Sequence, residues 1–104
     1  MKTLNEFLID NKEAIHKIID DNFEEVFSSH DFIKKFSKEF EKDYITYLCA
    51  YTAKKNKGIF QTVHGIIAKH LSSYSKNYNI EKHGIIKSHN IFGDSEQVQK
   101  WKRV

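Results

Sequence analysis

Gly58–Tyr78 reads GIFQTVHGIIAKHLSSYSKNY, and it decides the fold because it carries the clearest helical period in the chain. At about 100° per residue, Ile59, Phe60, Val63, Ile66, Ile67, Leu71, Tyr74 and Tyr78 fall on one apolar stripe. A stripe of that width has to be buried, so the spacing predicts a central helix over 59–77. The reverse side carries Gln61, Thr62, Gly65, Lys69, Ser72, Ser73 and Lys76, all small, hydrogen-bonding or basic, with no carboxylate. Most such faces are simply the solvated side of an amphipathic helix. This one would also tolerate a phosphate backbone.

Upstream, the helical period recurs. Thr3 followed by Glu6 fits a capping box, and Ile15, Ile18, Ile19, Phe23, Val26 and Phe27 recur at three and four, so acidic N-terminal helices are predicted over 3–27. Glu13, Asp20 and Glu24 line up on the far side. After Ser28, Ser29 and His30, the residues Ile33, Phe36, Phe40, Tyr44, Tyr47, Leu48 and Tyr51 predict one long helix over 31–53, with an apolar stripe of roughly five turns. Lys54, Lys55, Asn56, Lys57 and Gly58 then form a basic turn beside the N–H groups that open the central helix. Lysines there equally suit the C-terminal dipole of the preceding helix.

Downstream of Tyr78 the helical period stops. Residues 79–93 predict a short hairpin or ordered loop centred on His83-Gly84, flanked by Ile80, Ile85 and Ile86. Asp94 as N-cap, Gln97 at the third position, and Val98 three before Trp101 predict a C-terminal helix over 95–102. The fold class expected is therefore mainly α: one domain, 1–104, built as a bundle of about four helices with a hairpin or loop and a terminal helical turn. A helix followed by a small basic hairpin resembles the layout of winged-helix DNA-binding domains in arrangement only, since no sequence motif of that family is present.

Composition bounds the function classes. The 104 residues, 39% hydrophobic and rich in Phe and Tyr, provide one core's worth of material. A single cysteine, Cys49, excludes an intramolecular disulfide and points to the cytoplasm; the absence of a long apolar run argues against a membrane partner. Charge is unevenly spread: residues 1–52 carry a net −4 and residues 53–104 a net +7. Such asymmetry bears on partners, either between molecules or as attraction between the two halves of one chain.

Chemistry is sparse. His64 and His70 lie roughly 240° apart around one helix and so cannot share a metal, and no paired Cys/His spacing, Gly-rich phosphate loop or nucleophile elbow occurs. No catalytic residue, metal or cofactor is expected. The expected function is non-enzymatic nucleic-acid binding through Lys54, Lys55, Lys57, Gln61, Thr62, Lys69, Ser72, Lys76, Lys82 and Lys87. The alternative is a protein-interaction module, an inhibitor or accessory factor or a homodimer, using Trp101, Tyr74 and Tyr78 as its interface.

Overall fold

The computed structural model describes residues 2–51 and 58–104. Five helices and a three-stranded antiparallel sheet follow one another as α1 (Leu4–Asp10), α2 (Lys12–Asn22), β1 (Val26–Ser28), α3 (Ser29–Glu39), α4 (Glu41–Ala50), α5 (Ile59–Ser73), β2 (Ile80–His89) and β3 (Ser95–Arg103). The strand order is β1-β3-β2. The architecture is thus α+β, which corrects the expected mainly-α helical bundle.

The start of the chain folds as its local signals dictate. Thr3 accepts from the Glu6 N–H at 3.1 Å while the Glu6 carboxylate accepts from the Thr3 N–H at 3.0 Å, closing the capping box of α1. A second box, Ser28 with Asp31, opens α3. α5 is the central helix: Val63, Ile67 and Leu71 have no exposed surface, and α5 packs on α1, α3 and α4. Leu4, Leu8, Ile15, Ile19, Phe32 and Phe36 close the core around it.

Five element assignments differ from expectation, each for an identifiable reason. The helix expected over 31–53 is two helices that break at Phe40, whose backbone leaves helical geometry at φ −112°, ψ 41°. A straight helix of those residues would run about 35 Å at 1.5 Å per residue, nearly the longest extent of the molecule, 38 Å. The break instead lets Phe40 turn inward, edge-on to Phe7 with ring centroids 5.4 Å apart and 5.2 Å from Phe36. The basic turn, Lys54, Lys55 and Lys57, lies outside the described residues.

The central helix ends at Ser73, not near 77. Overlapping turns over 74–79 finish at Asn79, whose φ of 53° reverses the chain into β2; Asn is among the few side chains that tolerate that region. Tyr78 stays buried, now delivered by the turn rather than by a helical face.

The hairpin is longer than expected and turns elsewhere. His83 and Gly84 form a bulge within β2, between the pairs Lys82↔Trp101 and Ile85↔Gln99, with Gly84 at φ 94°. The reversal falls at Asn90–Asp94. There the Asn90 side-chain carbonyl accepts from the N–H groups of Phe92 and Asp94, at 2.9 and 3.0 Å, and Gly93 supplies φ 83°.

Residues 95–102 are the sheet's central strand rather than a helix. Val98 and Trp101, three apart, suggested a helical face, but nine residues with two apolar anchors satisfy either period. Pairing decides it: β3 is flanked on one side by β2 and on the other by β1, with Phe27↔Trp101 in register. Val26 and Phe27, read as the end of the second helix, form that short outer strand. Trp101 is 1% exposed, and its indole N–H donates to Ser29 Oγ at 3.0 Å, fastening the sheet to the start of α3.

Candidate functional site

The hairpin does not lie flat on the helices. It stands beside α5 and leaves a groove, wider at the end near the start of α5, where the cavity measures about 440 Å³. Phe60, Gln61, His64 and Gly65 form one wall there, and Asn90, Phe92, Glu96 and Val98 of the hairpin form the other. His30 and Ile33, from the first turns of α3, line it as well. A narrower section of about 280 Å³ shares Ser29, Ala68 and Val98 with the first and runs on past Ser72, Lys82, Gln97 and Trp101. The two sections adjoin at those shared residues.

The wide end is aromatic and polar. Phe92, at the hairpin tip, meets Phe60 edge-on with ring centroids 4.5 Å apart, and both rings are substantially exposed. His64 is fixed by a 2.6 Å hydrogen bond between its Nε2 and the Tyr44 hydroxyl. Burial pushes the His64 pKa down; neighbouring His30 adds to the shift and Glu96 opposes it. Burial likewise raises the Tyr44 phenol.

His30 is the unusual group. It is 7% exposed, yet its Nδ1 is buried without a hydrogen-bond partner among the described residues. Its Nε2 stops 3.8 Å from Glu96 Oε1, beyond hydrogen-bond reach. Glu96 Oε1 accepts from the Asn90 side-chain amide at 2.6 Å. Buried polar atoms are nearly always satisfied in folded proteins, so this one marks the groove lining as chemically unfinished.

The narrow end carries one basic side chain among neutral ones. Lys82 lines it directly, and Lys87 stands opposite Gln97 in register, so the two share a face of the hairpin. Lys69, Lys76, Lys82 and Lys87 are all exposed, with no ion-pair partner among the described residues. Within the acidic first half, Lys2 pairs with Asp10 and Lys17 with Asp21. Arg103 reaches back to Asp20 and to the Phe23 carbonyl.

Of the other residues singled out from the sequence, Gln61 lines the wide section and Ser72 the narrow one, while Thr62 is half-buried and returns its hydroxyl to the Gly58 carbonyl at 3.0 Å. Trp101 and Tyr78 are buried and Tyr74 is half-buried. The sequence reading missed His30, Asn90, Phe92 and Glu96. Phe92 and Asn90 sit in a recognisable turn, NIFGD, but nothing local brings the start of α3 against the hairpin. Among the described residues, no group of three or more His, Cys, Asp or Glu side chains could hold a metal ion, and no helix is long and apolar enough to cross a membrane. No protein-family model, curated protein or solved structure matches this chain.

Proposed function

We propose that this protein is a non-catalytic nucleic-acid-binding domain whose binding surface is the groove between α5 and the β2–β3 hairpin, with flanking lysines on the phosphates. The observation that carries this reading is the composition of that groove's walls. Gln61 of α5 lines the wide cavity and Ser72 of α5 with Lys82 of the hairpin lines the adjoining one, and Lys69, Lys76, Lys82 and Lys87 are exposed and, among the described residues, free of ion pairs. No carboxylate of α5 opposes a phosphate, because α5 has none. Helix-then-hairpin is also the layout of winged-helix domains; that is an analogy of arrangement, and function still has to rest on the site.

A salt series tests it. Binding of labelled DNA or RNA should weaken as log K falls linearly with log salt, and changing Lys69, Lys76, Lys82 and Lys87 to Ala should flatten the slope by roughly 0.7–0.9 per contacting lysine. Absence of binding to any single- or double-stranded probe at low salt would remove the reading.

One observation favours a protein partner instead. β2 is an edge strand with Ile85 61% exposed, and an open edge can accept a strand from another chain. Copurification of one partner, unchanged by nuclease, would support that alternative.

A further inference from the structure

The groove is polarised along its length, and the two ends ask for different chemistry. Lys82 and Ser72 at the narrow end suit a phosphate. The wide end holds the carboxylate of Glu96, which repels one. A nucleic-acid strand lying in the groove therefore has to offer something other than its backbone at the Phe60–Phe92 end.

We infer that this end takes a single unpaired nucleobase carrying an exocyclic amino group, stacked on the exposed Phe92 ring that Phe60 supports edge-on, with its amine directed to Glu96. The inference rests on the nucleic-acid reading above and specifies its substrate: single strands, with cytosine, adenine or guanine preferred over thymine or uracil.

Four observations support it. Two exposed aromatic rings, packed edge-on to each other, line the cavity, and base stacking on such a ring is the usual sequence-tolerant anchor of single strands. Glu96 Oε1 is engaged by Asn90, while its other oxygen has no partner among the described residues. An acceptor of that kind matches an amino donor and opposes the carbonyl that thymine and uracil present in its place. His30 Nε2, 3.8 Å from Glu96, has no hydrogen bond of its own, so a base edge that pairs a donor with a ring nitrogen can engage both groups.

The fourth observation is Gly65. It lies in the middle of α5, where glycine costs up to about 1 kcal/mol relative to alanine. Nothing lies within 4 Å of the position its Cβ would occupy, and its φ is not positive. Neither packing nor backbone conformation requires glycine there; its consequence is a wider cavity.

The test is fluorescence anisotropy at low salt with labelled single-stranded oligonucleotides of cytosine, adenine or thymine and a matched duplex. The cytosine and adenine strands should bind roughly tenfold more tightly than the thymine strand or the duplex, the scale of one stacked, hydrogen-bonded base. Phe92→Leu, which keeps an apolar side chain at an exposed tip, and Gly65→Leu, which fills the cavity from a site with open space, should each abolish that tenfold preference. Both should also weaken the thymine strand, which loses the same sequence-tolerant stacking contact, while the salt slope set by the lysines stays in place. Glu96→Gln should narrow the cytosine-to-thymine ratio without changing the melting profile. If all strands and the duplex bind alike, and the variants match the parent, the base pocket is refuted while phosphate binding stands. If no probe binds, both fall together.

Discussion

Two buried histidines divide the molecule into a closed region and an open one. His70, on α5, is 5% exposed, and its Nε2 meets the Tyr78 hydroxyl at 2.6 Å, with Tyr74 and Tyr78 packed around the ring. Burial, reinforced by the Lys12 charge, drives its pKa down to about 4, and the buried Tyr78 phenol is raised by the same desolvation and by Tyr74. His30 is comparably buried at 7%, yet has an orphaned Nδ1 and a carboxylate just out of reach. The difference teaches that burial alone does not make a histidine structural. Satisfaction does, and only the first of the pair is satisfied.

The residue that joins the two regions should give the largest effect. Trp101 lies in the core and also lines the narrow section of the groove; Trp101→Ala should cost about 4 kcal/mol in urea unfolding and abolish groove binding as well. A variant that kept its stability would mean that sheet and helices are held together by something else.

The closed region should then declare itself through pH. His70 has its folded pKa near 4 against 6.5 for an unperturbed imidazole, so the unfolded chain takes up its proton first as pH falls. Stability from this group is complete above pH 6.5 and is lost through the window down to about 4. Between about pH 7.5 and pH 5 the protein should lose about 2 kcal/mol. His70→Gln should flatten that part of the profile; a parent protein equally stable at both values would show that His70 is not held neutral.

Smaller effects sharpen the contrast. Thr3→Ala removes the cap of α1, on the closed side, and should cost about 1 kcal/mol in thermal unfolding while leaving oligonucleotide binding untouched. Phe92→Leu, at the exposed tip, should shift stability by only about 0.5 kcal/mol yet change base preference, as described above. If the two variants exchanged their effects, the division into a structural and a functional region would be mistaken.

Much of the helical half was legible in the sequence. The Thr3–Glu6 box, the buried face of α5 and the polar, carboxylate-free face opposite all follow from residues within a few positions of one another. Phe60 is the exception on that stripe, at 40% exposure, because the neighbour it meets is the hairpin tip rather than the core. The candidate site was legible only in fragments. Gln61, Ser72 and Lys82 were singled out from the sequence, whereas His30 and Glu96 had no signal, since each acquires its meaning from the other across a distance no local pattern spans.

By itself the sequence determined the amphipathic helices of the N-terminus and the centre, α1, α2 and α5, where α1 is capped, and that positive charge concentrates in the second half, since periodicity, capping and charge are properties of neighbouring residues. Tertiary structure alone decided that residues 95–103 are a strand, that the helix after Ser28 breaks at Phe40, and that a groove opens beside α5. The reason is one of range: β3 owes its conformation to partners on both sides, and its tryptophan is tied to Ser29, 72 residues away. A nine-residue segment with an ambiguous period adopts whichever state those distant partners satisfy.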